Sequence, residues 1–373
     1  MGSACRTLIV FYDGYHTPVA ELAQHIAGKV TVLSPVLSLP APVIALPAGA
    51  GWDVVELDLR SRFCDEVLRN AIKANARYQG GYHLSAALSR PVIAAACVET
   101  LAGDGDACVV HGFAGNDQVR FEAALLILRG DLEVRCASEF VGSRTSANSE
   151  SYTVSKNLWG RSTEAGLLAD PWRTPPRDRY PLPPGKSAGS EVELVISFED
   201  GVPVALDGMA LTLVEVIERL NALDGPWASV DMVEDGWVGL KSRALYCEPA
   251  ANILIRAHSD LEQFVSSRQQ NIFKALVDDA WSRLIYEGGW FDPQRVSLEA
   301  YIDDVNRWVS GDVRVAVGHN AVLVTGRRSP FALYDESVAI YRIGQDLGLE
   351  LIRGLRDQLV ATSNLARDRR QGA

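Results

Sequence analysis

Along its first third, the chain alternates short, continuous apolar runs with stretches in which apolar residues recur at helical spacing. Thr7–Tyr12, Val30–Leu33, Val54–Leu59 and Cys108–His111 have strand length and strand composition. Between them lie helical periods: Pro18 to Lys29, with Val19, Leu22, Ala23 and Ile26 on one face, then Cys64 to Tyr78, then Arg90 to Leu101. Strands that are apolar throughout are buried on both faces, and strand–helix alternation builds a parallel sheet covered on both sides. A further helix runs from Asn116 to about Leu128. Ser34 to Gly51, rich in proline and alanine and without period, is expected to be an irregular loop.

The texture changes after Asp170–Ser190, DPWRTPPRDRYPLPPGKSAGS, whose prolines mark the clearest domain boundary. Beyond it Val192–Phe198 alternates as a strand, Thr212–Leu223 is an amphipathic helix, Ala251–Arg256 reads as a strand and Gln263–Tyr286 as one long helix. Val313–Val317 and Ala321–Thr325 are expected to pair as a hairpin around Gly318, His319 and Asn320. The last helix, Gly344 to Arg370, carries the charged run ArgAspArgArg and suits either a solvated tail or an oligomerisation arm. The expected organisation is a parallel-sheet α/β domain over 1–168, an α+β domain over 169–340 and a C-terminal helical arm over 341–373.

Composition narrows the partners. With 373 residues, 47% hydrophobic and 22% charged, the chain has the make-up of a soluble globular protein large enough for more than one core. A formal net charge of -11 disfavours a broad surface for nucleic acid or anionic membrane. No apolar run approaches the roughly 18 residues of a membrane span, and the start carries no signal-peptide pattern, so a cytoplasmic protein is expected. The six cysteines lack paired or metal-ligand spacing, as do the histidines; buried thiols and no metal are expected.

Parallel sheets bind ligands at the carboxyl ends of their strands, which directs attention to the loops after Tyr12 and Val110. In the second, His111-Gly112-Phe113-Ala114-Gly115 turns into Asn116-Asp117-Gln118-Val119-Arg120. Helical spacing puts Asp117 and Arg120 on one face of the first turn, offering an ammonium partner beside an anion partner. A capped, solvated helix start would have the same residues.

The strings GYHLSAALSRPVIA (81–94), GNDQVRFE (115–122), NLWGRSTEAGLLADPW (157–172), VEDGWVGLKSRALY (233–246) and SPFALYDE (329–336) together resemble the argininosuccinate synthase family, in the family's order. The resemblance implies an adenine-nucleotide α-hydrolase-like α/β domain, a synthase-type α+β domain and a homotetramer embraced by C-terminal arms. It also implies a ligase reaction: with ATP and magnesium the ureido oxygen of citrulline is adenylated, and the α-amine of aspartate displaces AMP. Carried over by position, Tyr82, Arg120, Thr153, Ser162, Glu234 and Tyr246 are the citrulline contacts. Asn116 and Asp117 are the aspartate contacts, and with Arg120 they form the catalytic group. Tyr12, Asp13, Gly14, Thr17 and Gly112 stand in the ATP-binding loops.

Those loops depart from the family. Where it has SerGlyGlyLeuAspThrSer, this chain has Tyr12 to Pro18, and only Gly14 and Thr17 survive. Pro18 has no N–H for a phosphate. At roughly 4 Å and an effective dielectric near 20, Asp13 beside a phosphate charge costs about 4 kcal/mol. The turn before Asn116 is two residues short and lacks the family's threonine and lysine, and Ala86-Ala87 replace its ThrSer pair. The expected function is a C–N bond-forming ligase with a degenerate ATP loop. The alternatives are an ATP-independent lyase or transfer enzyme and a non-catalytic amino-acid-binding paralogue.

Overall fold

The computed structural model describes residues 6–12, 18–22, 24–26, 28–41, 44, 46, 51–141, 152–175, 192–223, 228–236, 239–318, 321–334 and 346–371. Residues 1–331 form one compact unit and 332–373 a second. The first sheet is wholly parallel, with strands β1 (Arg6–Val10), β2 (Val30–Val36), β3 (Asp53–Asp58), β4 (Ala107–His111) and β5 (Glu133–Cys136) in the order β3-β2-β1-β4-β5. β2 and β4 are buried at every position, as continuous apolar runs require. The chain builds outward from β1 on one side and then resumes at β4 on the other. The reversal opens a crevice at the carboxyl ends of β1 and β4, where such sheets take ligands.

β2 runs on through Ser34, Pro35 and Val36, which were expected to be loop. β1 stops opposite Leu33, so Pro35 pairs only with β3 and its missing N–H costs no ladder bond. Helix α1 (Val19–Leu22) is far shorter than the predicted Pro18–Lys29: its end tightens into three-residue bonds at Gln24 and His25, and Gly28 has φ +105°. The next helix starts early, as α2 (Arg60–Phe63), passes through a π-helical stretch at Cys64–Leu68 and ends with α3 (Arg69–Lys73). Asn75, at φ +43°, stops it short of Tyr78. Helix α4 (Ser85–Thr100) also begins before Arg90, with Pro91 inside it. Proline suits a helix start, hence the expectation; the true start is held by the Tyr82 hydroxyl, which accepts from the N–H groups of Ala86 (2.9 Å) and Ala87 (3.4 Å). Helix α5 (Gly115–Leu128) follows β4, and α6 (Ser138–Val141) follows β5.

Two antiparallel sheets follow. One joins β6 (Tyr152–Asn157), β7 (Gly160–Ala165), β11 (Ser229–Asp235) and β12 (Lys241–Cys247) in the order β11-β12-β7-β6. The other joins β8 (Val192–Glu199), β9 (Val202–Leu206), β10 (Met209–Ala210), β13 (Gly311–Gly318) and β14 (Ala321–Arg328) in the order β10-β9-β8-β13-β14, the last two being the expected hairpin. Helices α7 (Leu213–Asn221), α8 (Pro249–Val265), α9 (Arg268–Tyr286) and α10 (Pro293–Asn306) pack with them.

Ala251–Arg256, expected to be a strand, lies in α8, with Pro249 at its start. Ala250, Ala251, Ile253, Leu254, Ile255 and Ala257 are all buried, so the helix is apolar around most of its girth and its period is erased. The single helix expected over Gln263–Tyr286 is two, broken at Ser266-Ser267, where Ser267 and Gln270 form a reciprocal capping box. Cys64, Cys97, Cys108 and Cys136 are buried free thiols and Cys247 is a half-buried one; Cys5 lies outside the described residues. In the second unit, α11 (Asp346–Gln371) exposes Ile352, Leu355, Leu359 and Val360. Among the described residues, no helix is long and apolar enough to cross a membrane.

A polar knot ties α3, α8 and α9 together. The Lys274 ammonium, buried, donates to Asp278 (2.6 Å) and to the Lys73 carbonyl (2.8 Å) and pairs with Glu262 (3.1 Å). Asn75 donates to both carboxylates. Burial pushes the Asp278 carboxyl up to about 7, with Lys274 opposing. Removing the ammonium strands two buried carboxylates, so Lys274→Ala is expected to cost about 3–5 kcal/mol, read from the urea midpoint.

Candidate functional site

The β11-β12-β7-β6 sheet supplies one wall through its register. Glu164 of β7 faces Thr153 of β6 and Ala244 of β12; Ser162 faces Ser155 and Tyr246; Glu234 of β11 faces Ser242. Directly opposed residues project to the same face, as do alternate residues along a strand. Thr153, Ser155, Ser162, Glu164, Glu234, Ser242 and Tyr246 therefore share one face, with Thr153 at its exposed margin. Gly81 lets the Tyr78–Tyr82 turn come close: a Cβ there would lie 3.1 Å from the Met232 sulfur.

Opposite stand the first turns of α4 and α5. Asp117 is held between two buried guanidinium groups, receiving Arg90 on one oxygen (2.7 Å) and Arg120 on the other (2.7 Å). Arg90 also donates to Ser89 (2.8 Å) and Ser155 (3.4 Å), joining the helices to the sheet. Arg120 is fixed from behind by the Tyr286 carbonyl (2.7 Å) and lies 4.7 Å from the Tyr286 ring centre. The Asn116 amide donates to the Tyr286 hydroxyl (3.2 Å). Asp117, expected to meet a substrate amine, receives one arginine on each oxygen. In this structure it positions Arg120.

Stacked tyrosine pairs close the sides: Tyr78 on Tyr286, centroids 3.6 Å apart, and Tyr82 on Tyr246, 4.0 Å apart. Between them lies Glu234, whose Oε1 accepts from Ser242 (3.2 Å). Burial raises its pKa, and Tyr246, Arg120 and Ser242 oppose the rise. Burial, then the charges of Asp117 and Glu234, push the Glu164 carboxyl up to about 7. Among the buried side-chain atoms of the described residues that lack a hydrogen-bond partner are Arg120 Nη2 and Glu234 Oε2. One is a cationic donor and the other an anionic acceptor.

Of the six expected citrulline contacts, Thr153, Ser162, Glu234 and Tyr246 lie on this wall, Arg120 on the facing helix and Tyr82 in the turn before α4. Arg90, Glu164 and Tyr286 had not been singled out. Glu164 had a signal, since it lies two residues beyond Ser162 in a strand; the end of α9 at Tyr286 was legible, with Gly288 at φ +86° just beyond it, but that Tyr286 reaches Arg120 and Asn116 depends on tertiary packing.

The crevice between β1 and β4 is different. The Tyr12 ring is buried there, its hydroxyl donating to the Lys156 carbonyl (3.0 Å) and its face 5.9 Å from Phe113. The Arg90 guanidinium lies 5.1 Å from the Tyr12 ring centre and 4.5 Å from that of Phe113. Gly112 is half-buried beside them, and His111 serves local groups, Glu122 (3.0 Å) and the Phe113 N–H (3.2 Å). Asp13, Gly14 and Thr17 lie outside the described residues. The rings of Tyr12 and Phe113 lie in the described part of this crevice, and the cation beside them, Arg90, is engaged with Asp117. Among the described residues, no cluster of three or more His, Cys, Asp or Glu side chains suits a metal ion.

Because Arg90 neutralises Asp117 in a site closed to water, Arg90→Ala is expected to destabilise the fold by about 3–5 kcal/mol. Chemical denaturation measures it, and a loss below about 1 kcal/mol contradicts the ion triad.

Residues 44–152 match the arginosuccinate synthase N-terminal HUP domain, and residues 152–363 match the arginosuccinate synthase C-terminal domain. Strands β3, β4 and β5 of the parallel sheet fall within the first match, which β1 and β2 precede, and the antiparallel sheets fall within the second. The two spans meet and cover most of the sequence, and the chain belongs to the argininosuccinate synthase family.

Proposed function

We propose that the protein is a C–N bond-forming ligase of the argininosuccinate synthase type, joining a citrulline-like amino acid to the amine of aspartate or an aspartate-like substrate. The observation that carries this reading is the buried, unpartnered pair Arg120 Nη2 and Glu234 Oε2. Leaving a donor and an acceptor dry costs stability unless a ligand completes them. An α-amino acid carries the complement of both, with its carboxylate for Arg120 and its ammonium for Glu234. Tyr82, Tyr246, Ser162 and Thr153 would line the acceptor amino acid, and Asn116 would face the incoming amine. Asp117 acts by aiming Arg120. Acid–base demand on the protein is small; fixing two reactants in register supplies most of the rate.

The HUP-domain match supports ATP use, while the ring-lined β1–β4 crevice, with Asp13 and Pro18 in the loop after it, favours a second reading. In that reading the amino-acid pocket works without nucleotide, as a lyase or transfer enzyme or as an amino-acid-binding paralogue. By family resemblance the assembly is a homotetramer in which α11 arms embrace neighbouring copies. It would handle small amino acids in the cytoplasm, with the domain boundary near residue 169.

Calorimetric titration with magnesium-ATP, with and without citrulline and aspartate, separates the readings. Micromolar ATP binding followed by AMP release supports the ligase. Citrulline binding without ATP binding into the millimolar range retires adenylation. Arg120→Ala removes one charged hydrogen bond to the acceptor and is expected to weaken citrulline about ten- to hundredfold. If that variant binds like the parent, this placement of the acceptor is wrong.

Glu164 adds a pH signature. It is largely protonated below about 7 and ionised above, and an ammonium is held better by the ionised form. Citrulline affinity is therefore expected to rise with pH through about 7, with proton release on binding below that pH. Glu164→Gln should flatten the profile; an unchanged profile removes Glu164 from the site.

A further inference from the structure

Behind the Tyr78–Tyr82 turn lies a second cluster of charge. Tyr78 and Tyr82 form an isolated antiparallel bridge and belong to the tyrosine wall. The residues just outside that bridge, Arg77 and His83, line a different, small cavity of about 60 Å³ together with Arg256 and Ser259 of α8. A second cavity of about 460 Å³ adjoins it, sharing Arg77 and Ser259, and is lined further on by Glu262, Gln263, Asn271 and Asp278.

The charge here is neutralised only in part. Arg77 is held below the ordinary arginine range, first by loss of solvent and then by the adjacent Arg256 charge, which Asp278 offsets only in part. Neither guanidinium has an ion-pair partner among the described residues, although most other arginines of this acidic chain pair with a carboxylate. His83 is oriented: its N–H and its Nδ1 both meet Glu248 Oε2, each at 2.9 Å. A ring nitrogen facing a carboxylate carries the proton, so Nδ1 donates and Nε2 of the neutral ring is left as an acceptor, for the hydroxyl of a protonated phosphoryl or carboxyl group. Two like charges kept together beside a hydroxyl are what an oxyanion recognises, and the imidazole acceptor suits one that still carries a proton. The small cavity has room for such a head group, since a single water needs only about 10–15 Å³. The larger cavity, edged by carboxylates and amides, suits a remainder rich in amine or hydroxyl groups.

We propose that Arg77, Arg256 and His83, with Ser259, form a binding site for the oxyanion head, a phosphoryl group or a carboxylate pair, of a small polar metabolite, separate from the amino-acid pocket. Nothing in this site is shared with the Arg120–Glu234 pair, so it stands or falls apart from the ligase reading.

The test is calorimetry on the full chain at low ionic strength with inorganic phosphate and, separately, succinate. At least one is expected to bind in the millimolar range or tighter, and the tighter of the two identifies the head group. Arg77→Gln/Arg256→Gln should weaken it by at least about tenfold for each charged hydrogen bond lost. Both side chains reach solvent, so the fold should tolerate the change; an unaltered circular dichroism spectrum and citrulline affinity verify that. Arg243→Gln, removing a guanidinium already paired with Asp231, should change nothing. Absence of binding by both anions, or equal binding by the parent and the double variant, overturns the proposal.

Discussion

Asp117, gripped by Arg90 and Arg120, is the contact on which the site depends. The aspartate belongs to α5, one arginine to α4 and the other to α5 one turn on, and Arg90 reaches Ser155 on β6. One carboxylate thus fastens the parallel-sheet unit to the sheet that carries Glu164, Glu234 and Tyr246. A buried ion triad is a poor source of net stability, since desolvation consumes most of the attraction. Its value here is geometric. Two guanidinium groups satisfied by one acid cannot swing, and Arg120 is further fixed by the Tyr286 carbonyl, so its remaining donor has a single direction.

The same triad divides the site. On one side of Arg90 lie the sheet face and the tyrosine pairs, polar and with atoms still unpaired. On the other lie Tyr12 and Phe113, whose rings take the guanidinium face. Arg90 is therefore spent twice, on Asp117 through its edge and on the rings through its plane, and has little left for a phosphate. The sequence strings that resemble the family and Tyr12, at the head of the loop that departs from it, lie on the two sides of this one side chain.

Much of this was legible because it was local. The parallel sheet followed from apolar runs alternating with helical periods, and Asp117 and Arg120 from helical spacing. The candidate acceptor residues, Tyr82, Arg120, Thr153, Ser162, Glu234 and Tyr246, came by position from the family resemblance, and strand alternation puts Glu164 on the face of Ser162. What escaped depended on distant partners. Ala251–Arg256 is helical because neighbours bury it on nearly every side, which removes the period that would have marked it. The early start of α4 depends on the Tyr82 hydroxyl, and no propensity rule places a tyrosine as a cap. Arg90 looked like an ordinary residue before a proline until Asp117, 27 positions on, came to meet it.

Charge balance suggests why the halves can be separated. Within the pocket, Arg90 and Arg120 are matched by Asp117 and Glu234, leaving Glu164 as the surplus, and it answers by holding its proton up to about 7. A zwitterionic amino acid adds no net charge and can enter without disturbing that balance. A polyphosphate adds several negative charges beside three carboxylates, and each unscreened pair at close range costs about 4 kcal/mol at an effective dielectric near 20. Magnesium or an added cation must then carry the compensation, because the pocket's own two arginines are already committed. Under the proposed reading, a site balanced in this way would take an amino acid on its own terms and a nucleotide only with help from outside the triad.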